Sequence, residues 1–469
     1  MQQEYTISAI ATPLGEGGIG IIRISGSTAI EIAENIFKPY NAKKNVLSFE
    51  ERSAIFGHVI DESGNIVDEA ICIIMKAPHS YTCEDVVELQ CHGGSMVMQE
   101  ILSLTYRMGA RPAERGEFTK RAFLNGRLDL SQAQAVMDVI QSKTKASLRV
   151  AAGHLNGQFS KKIEILRNEI LNLIAHLEVS IDYPEEDIES IVLDEAREKV
   201  DSIIDEVQSM IDSAATGIIL REGLQTAIIG RPNAGKSSLM NRLLGQERAI
   251  VTDIPGTTRD SIEEYANIGG VPLRLADTAG IRTTDDVVEK IGVEKAYSYA
   301  KESSLVMAVF DGSCSLQPED EELFKLLADC TGHIIIIINK GDLDQKLDDN
   351  YIREKINISG LGNITEIVNI SANTGAGVES LEKSIKKLVY GSNSEGQERE
   401  FVNDARQKDI LLKTIDLLKE TRLTLTTGMS EDFVVIDLRS AWEKLGEITG
   451  QNLSEDIIDH IFKNFCLGK

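Results

Sequence analysis

The chain has 469 residues, which predicts about three domains, and its formal net charge of −25 argues against broad, nonspecific binding of nucleic acid. It has no apolar run long enough to span a membrane, its N-terminus does not follow the signal-peptide pattern, and its six cysteines include no C-x-x-C pair. These features exclude membrane-spanning and secreted proteins and predict a cytoplasmic location with reduced thiols.

Residues 1–119 predict an α+β domain, because short alternating hydrophobic stretches such as 20–25 (GIIRIS) and 86–91 (VVELQC) lie between turn residues. Gly15, Gly17 and Gly20 also match G-x-G-x-x-G, the pattern of dinucleotide-binding loops. That motif needs a helix directly after it, whereas residues 21–24 have the pattern of a strand. We therefore reject a dinucleotide site here.

A basic cluster lies between residues 111 and 127, where five basic residues face only Glu114 and Glu117 in the sequence. The cluster is either a solvated face or a site for an anionic ligand or RNA, and the sequence leaves both interpretations open. The basic residues are Arg111, Arg115, Lys120, Arg121 and Arg127.

From about residue 120 the hydrophobic pattern takes a helical period, and its stripes predict core packing in a helical bundle. A capping box at Ser131 and Gln134 predicts the start of the first helix. The stripes are Ala133, Val136, Met137 and Ile140; Ile163, Leu166, Ile170, Leu173, Ile174 and Leu177; and Val200, Ile203, Ile204, Val207 and Ile211.

The helical period returns after a Gly/Ser/Glu-rich linker at 391–400, in Leu411, Ile415 and Leu418 and again in Ile457, Ile458, Ile461 and Phe462. We therefore predict one discontinuous helical domain, 120–223 and 389–469, into which a domain spanning 224–388 is inserted.

Residues 230–237 (GRPNAGKS) satisfy the phosphate-binding pattern G-x-x-x-x-G-K-[ST], between a predicted strand at 224–229 and a helix at 238–244. The glycines let backbone N–H groups surround phosphate oxygens, Lys236 reaches the outer phosphates, and Ser237 can ligate Mg²⁺. The loop predicts a nucleotide but does not identify the base.

The motif N-K-G-D at 339–342 identifies the base as guanine, because Asp342 can accept hydrogen bonds from N1–H and the 2-amino group. Adenine has no donors there and would leave the carboxylate unpaired at a cost of roughly 1–3 kcal/mol. Further motifs follow predicted strands at 271–276 and 367–370. They are Asp277, Thr278, Ala279 and Gly280, and Ser371, Ala372 and Asn373. This order predicts an α/β Ras-like GTPase domain.

Hydrolysis cannot use the glutamine of Ras-like switches, because Ile281 occupies that position. An acidic side chain in the next segment could align the attacking water, and chemistry alone does not choose among the candidates. The polar residues of this segment are Arg282, Asp285, Asp286, Glu289, Lys290 and Glu294.

A monovalent cation can take the place of an arginine finger between the β- and γ-phosphates. Asn233 offers an amide oxygen within the phosphate loop, and residues 249–260 (AIVTDIPGTTRD) offer backbone carbonyls and a threonine hydroxyl. Thr258 would complete the Mg²⁺ shell.

The motifs G-R-P-N-A-G-K-S-S, I-V-T-D-I-P-G-T-T-R-D, D-T-A-G-I-R, V-E-K-I-G and F-C-L-G-K together resemble the MnmE (TrmE) family of tRNA modification GTPases. Residues 11–26 and 116–130 resemble the folate-binding domain of that family, so the resemblance covers essentially the whole chain.

The resemblance implies a homodimer formed through the N-terminal domains, which bind a 5-formyltetrahydrofolate-type cofactor. It implies K⁺-stimulated GTP hydrolysis by paired GTPase domains. With an FAD-containing, MnmG-like partner, such proteins add an aminomethyl or carboxymethylaminomethyl group to C5 of the wobble uridine of certain tRNAs.

The resemblance also implies roles for individual residues. K⁺ would be held by Asn233, Thr252, Ile254 and Thr257, and Mg²⁺ by Ser237 and Thr258; Glu289 would be catalytic; folate would contact Arg23, Glu88, Arg127 and Lys469; and Cys466 is a candidate functional thiol. GTP would contact Asn233, Ala234, Gly235, Lys236, Ser237, Ser238, Thr252, Asp253, Ile254, Pro255, Gly256, Thr257, Thr258, Asp277, Thr278, Ala279, Gly280, Asn339, Lys340, Asp342, Ser371, Ala372 and Asn373.

Two alternative functions share these nucleotide motifs. One is a ribosome-assembly GTPase, against which the acidic charge and the folate-like N-terminus count. The other is a GTP-driven conformational switch or scaffold without modification chemistry of its own, which is partly compatible because the chain has no flavin motif.

Overall fold

A computed structural model describes residues 5–13, 15–40, 53–182, 189–246, 263–276, 297–347, 349–358, 362–391, 402–427 and 431–469. The chain divides into two compact units: Met1–Met137, His154–Ala175 and Arg439–Lys469 form the first, and Asp138–Gly153 and His176–Leu438 form the second. Among the described helices, none has the length and hydropathy needed to cross a membrane. The predicted domain limits remain predictions.

The first unit contains a seven-stranded sheet with the order β3-β4-β5-β6-β2-β1-β7. All neighbouring strands are antiparallel except β1 and β7, which are parallel. The strands are β1 (Ile7–Ile10), β2 (Gly17–Ser25), β3 (Phe37–Pro39), β4 (Ala54–Ile60), β5 (Ile66–Met75), β6 (Val86–Gly93) and β7 (Arg111–Pro112).

Helices α1 (Ala29–Ile36) and α2 (Ser95–Arg107) pack on this sheet and confirm the predicted α+β fold. Ile22 and Leu89 from the sheet and Ile101 from α2 are fully buried in the shared core. The predicted strand at 21–24 is also confirmed, because the residues after Gly20 continue strand β2 instead of starting a helix.

Five helices follow, and the hydrophobic stripes predicted from the sequence lie on them, with most members buried. The helices are α3 (Glu117–Leu124), α4 (Leu130–Gln141), α5 (Lys145–Leu155), α6 (Gln158–Asp182) and α7 (Glu189–Glu222). Ile140 is an exception, at 38% exposed.

The predicted capping box of α4 is wrong by two residues. The reciprocal bonds join Asp129 and Gln132: Gln132 N donates to Asp129 Oδ1 at 2.9 Å, and Asp129 N donates to Gln132 Oε1 at 3.0 Å. Ser131 is buried within the first turn. Asp and Ser are both good N-caps, so the sequence alone did not separate the two registers.

The second unit contains a six-stranded sheet with the order β13-β12-β11-β8-β10-β9, in which only the edge strand β9 is antiparallel. The strands are β8 (Leu224–Ile229), β9 (Glu263–Ile268), β10 (Val271–Ala276), β11 (Leu305–Asp311), β12 (His333–Asn339) and β13 (Ile364–Asn369). Strands β8 and β10 have the predicted bounds, whereas β13 begins three residues earlier and ends one residue earlier than predicted.

Helices cover both faces of this sheet, as a parallel α/β sheet requires. Leu239 of α8 and Leu381 of α11 pack on one face, and Leu323 of α9 and Ile352 of α10 pack on the other. These helices are α8 (Lys236–Gln246), α9 (Pro318–Ala328), α10 (Asp349–Ile358) and α11 (Val378–Tyr390). Helix α8 begins two residues before its predicted start.

The chain ends in three helices, α12 (Ala405–Thr427), α13 (Glu431–Thr449) and α14 (Glu455–Phe462). The predicted stripe of Leu411, Ile415 and Leu418 is buried in α12. On α14 Phe462 is buried, whereas Ile457 is 44% exposed and so falls outside the core.

Candidate functional site

The nucleotide motifs that the structure describes lie at one edge of the six-stranded sheet. The phosphate loop follows β8, Asn339 ends β12, and Ser371 comes two residues after β13. Because β8, β12 and β13 run parallel, their carboxyl ends lie on the same side. Open α/β sheets bind their ligands at this edge.

The phosphate loop has a backbone that few sequences can adopt. Gly235 has a φ of +97°, and a Cβ atom there would lie 2.1 Å from Asn339 Nδ2. Asn233 also has a left-handed φ, +62°, and its side chain is exposed. Substitution of Gly235 would therefore displace the amide that joins the two halves of the site.

Lys236 opens α8, and its ammonium donates to the carbonyls of Gly230 at 2.8 Å and Arg231 at 2.9 Å. Ser237 and Ser238 follow on the first turn and are exposed. The N-terminus of α8 thus combines backbone N–H groups, hydroxyls and a cation, which is the chemistry that binds phosphate.

Asn339 joins the phosphate loop to the loop after β13. Its side chain is buried; Nδ2 donates to Ala234 O, and Oδ1 accepts from Ala372 N, both at 2.9 Å. Both halves of the amide are used, so this residue fixes the spacing between the two loops.

Asp342 is oriented by the same loop, since its Oδ1 accepts a hydrogen bond of 2.6 Å from Ser371 Oγ. That bond is the main cause that lowers the pKa of Asp342 below its ordinary value. The carboxylate is therefore ionised at neutral pH, as acceptance of two N–H bonds from guanine requires.

Asp311, at the end of β11, is a residue that sequence reasoning missed. Its Oδ2 accepts from Lys340 Nζ at 2.6 Å and from Arg231 Nη2 at 3.2 Å, and its Oδ1 accepts from Ser313. Burial raises the pKa of Asp311, but these hydrogen bonds outweigh burial and lower it to about 2. An aspartate that closes a wholly apolar strand was the available signal.

Several predicted GTP, cation and catalytic residues lie outside the described part of the chain. They are Thr252, Asp253, Ile254, Pro255, Gly256, Thr257, Thr258, Asp277, Thr278, Ala279, Gly280 and Glu289.

The four predicted folate residues belong to the first unit. Among them, Glu88 and Arg127 lie near Arg23. Arg23 Nε donates to Glu88 Oε1 at 2.8 Å, across the register of β2 and β6. The Arg23 guanidinium lies 5.3 Å and that of Arg127 4.8 Å from the ring centroid of Tyr81. Tyr81, which sequence reasoning missed, therefore links the two predicted arginines.

The C-terminal residues lie beside the same cluster of predicted folate residues. Arg23 Nη1 donates to Gly468 O at 3.3 Å, and burial together with the Arg23 charge lowers the pKa of Lys469. Cys466 is half-buried, and its carbonyl accepts from Gly116 N at 3.3 Å. A cleft of about 620 Å³ opens beside Tyr81 and Arg127.

Ion pairs within the first unit neutralise much of the basic cluster. Arg111 contacts Glu117, Lys120 contacts Asp459, and Arg121 Nη1 lies 2.9 Å from Glu84 Oε2. Three of the five basic residues therefore take part in ion pairs within the unit, which favours a structural role for them over binding of RNA.

Two family models match the chain. One, described as the MnmE helical domain, matches residues 130–466, and the other, described as the N-terminus of GTP-binding protein TrmE, matches residues 6–127.

Curated relatives align over nearly their whole length, and each of the following bears the name "tRNA modification GTPase MnmE". The protein of Clostridioides difficile is 47% identical, with 99% of each chain covered. Those of Alkaliphilus oremlandii and Geobacillus kaustophilus are each 46% identical, with 100% of both chains covered.

Proposed function

We propose, since this chain belongs to the MnmE family of tRNA modification GTPases, that it hydrolyses GTP at the carboxyl edge of its six-stranded sheet during modification of the wobble uridine of certain tRNAs. The buried Asn339 bridge between the phosphate loop and the loop after β13 is the observation that carries this assignment.

The GTP contacts are those predicted from the motifs. Lys236 and the first turn of α8 bind the phosphates, and the ionised Asp342 selects guanine. Residues 252–258 and 277–280 contribute the remaining contacts, including Thr258 and Gly280.

Two cations complete the proposed site. Mg²⁺ is held by Ser237 and Thr258, and it neutralises charge that develops on the phosphates. K⁺ is held by Asn233, Thr252, Ile254 and Thr257. The exposed side chain and left-handed backbone of Asn233, at the rim of the phosphate loop, support this role.

Glu289 is proposed to align the attacking water, since Ile281 cannot. This proposal depends on the family motif V-E-K-I-G at 288–292, which lies outside the described residues.

Arg23, Glu88, Arg127 and Lys469 are proposed to bind a 5-formyltetrahydrofolate-type cofactor. Their convergence with Tyr81 beside an open cleft supports this proposal, because guanidinium groups and an aromatic face suit the glutamate and pterin parts of folate. Cys466 belongs to the same region as a candidate functional thiol.

We further propose a cytoplasmic homodimer that acts with an FAD-containing, MnmG-like protein to add an aminomethyl or carboxymethylaminomethyl group at C5 of uridine. The proposed domains are 1–119 for folate and dimerisation, 120–223 with 389–469 for the helical domain, and 224–388 for the GTPase domain.

Analysis of tRNA nucleosides by mass spectrometry tests the function. Cells that lack the gene should lose the C5 modification of the wobble uridine, and the intact gene should restore it. The variant Glu289→Ala should fail to restore it, whereas Glu294→Ala, in the same segment, serves as the matched control and should succeed. An unchanged C5 modification of the wobble uridine in the deletion strain would contradict the proposal.

A further inference from the structure

The loop of residues 371–377 positions the backbone that reads guanine in the proposed site. Within the loop Ser371 N donates to Ala376 O at 2.9 Å, and Gly375 N donates to Ser371 O at 2.8 Å. On its inner side, Asn339 fixes Ala372 N. These bonds set the shape of the loop, and those of Asn339 and Asp342 attach it to the centre of the site.

A further attachment comes from Arg242, on the outer side of the loop. Its Nε donates to Ala372 O at 3.1 Å, and its Nη2 donates to Asn373 O. The planar guanidinium therefore holds two successive carbonyls of the loop at once, a geometry that a lysine ammonium cannot reproduce with the same rigidity.

Arg242 belongs to α8, the helix that begins at Lys236. It lies six residues after Lys236, which places it about 9 Å further along the helix axis. Arg242 is thus remote from the phosphate end of α8, and its role is to position Ala372 and Asn373.

We propose that Arg242 is a positioning residue that sets how long guanine nucleotides stay bound. It fastens the guanine-reading loop to the phosphate-binding helix, so the two ends of the nucleotide are held by one rigid element. This inference rests on the proposed GTP site. It predicts a change in nucleotide release and no change in the chemical step.

Release of the fluorescent analogue mant-GDP from the full-length protein tests the proposal. Arg242→Met should release it roughly tenfold faster than the wild type, because two hydrogen bonds to the loop are lost. Arg242→Lys should fall between them, since it keeps the charge and one donor. Asn241→Met, at the exposed neighbouring position of α8, should behave as the wild type.

Cleavage of bound GTP in a single turnover, which reports the chemical step without product release, should stay within about twofold of the wild type in each variant, because Arg242 does not contact the reacting phosphates. A thermal melt of the nucleotide-free protein accompanies the measurement, so that general damage to the domain is recognised. Wild-type release by Arg242→Met, or equal acceleration by Asn241→Met, would overturn the inference.

The outcomes also separate this inference from the proposed function. A wild-type protein that binds mant-ATP as well as mant-GTP contradicts the guanine site itself. A wild type that binds only the guanine analogues, together with unchanged release from Arg242→Met, contradicts the role of Arg242 alone.

Discussion

At the scale of single residues, Asp311 shows how one buried carboxylate can organise a nucleotide site. It accepts hydrogen bonds from Lys340 of the base-recognition motif and from Arg231 of the phosphate loop. Both cations would otherwise be free to rotate away from the carboxyl edge of the sheet. We infer that Asp311 fixes the pose in which Lys340 meets the nucleotide.

The variant Asp311→Asn should raise the dissociation constants of GTP and GDP about tenfold, because a charge-assisted hydrogen bond to Lys340 is lost. Equilibrium titration with mant-nucleotides measures the effect. Asp320→Asn is the matched control, since Asp320 Oδ2 lies 3.5 Å from Arg231 Nε but the ion pair of Lys340 is with Asp311. Equal losses in both variants would assign the effect to Arg231 instead.

The contribution of Asp311 to the free energy of unfolding should depend on pH. The pKa of Asp311 is lowered from 3.8 to about 2, so its contribution to the free energy of unfolding is complete above the unfolded pKa. That contribution disappears as the pH falls through the folded value. The free energy by which the wild type exceeds Asp311→Asn should therefore shrink between about pH 4 and pH 2, as urea denaturation would measure. A pH-independent difference would contradict this account.

At the scale of elements, the points where the chain enters and leaves the α/β region are joined by a partly buried ion network. Arg221, in the last turn of α7, lies 2.8 Å from Asp138 and 2.5 Å from Asp404, which precedes α12. Asn403 Nδ2 also donates to Asp138 at 3.1 Å. Burial raises the pKa of Asp138, and the charge of Arg221 counteracts this effect.

Removal of Arg221 should therefore leave the buried Asp138 without its cation. We expect Arg221→Met to lower the free energy of unfolding by about 3–5 kcal/mol, as for other broken buried ion pairs. Arg422→Met removes an arginine from an exposed pair with Asp201 and should cost less than about 1 kcal/mol. Circular dichroism during urea denaturation compares the two, and equal small losses would show that the network is not stabilising.

Local patterns predicted elements well and contacts poorly. Strands β8 and β10 were predictable because each is a short apolar run followed by a motif. The helices were predictable because hydrophobic residues recur at helical spacing within one segment. The partners of Asp311, Tyr81 and Arg242 were not predictable, since they lie far away in the chain. The start of α4 was predicted wrongly for a different reason, namely that Asp129 and Ser131, two residues apart, are equally good capping residues.

At the scale of the whole molecule, the proposed K⁺ site predicts how the protein responds to salt. GTP hydrolysis should be faster in K⁺ than in Na⁺ at equal ionic strength, because the cage of carbonyl and amide oxygens replaces the hydration shell of the larger ion. Phosphate release measures the rates. Asn233→Ala should make the rates equal in both salts, and equal rates in the wild type would contradict the site.

The first compact unit combines residues from both ends of the sequence. Arg439–Lys469 belongs to it together with Met1–Met137, and the contact of Arg23 with Gly468 is one of the bonds between them. The predicted folate residues are divided between these segments, since Lys469 lies in one and Arg23, Glu88 and Arg127 lie in the other.

This division has a consequence for the order of events on the ribosome. Residues 439–469 are synthesised after the whole of 138–438. The first unit therefore cannot be completed until these last residues are made, whereas the nucleotide-binding unit can fold earlier. During that interval the β2–β6 surface around Arg23 lacks its partner at Gly468. A nascent chain should therefore acquire the ability to retain GTP before it acquires the ability to retain folate.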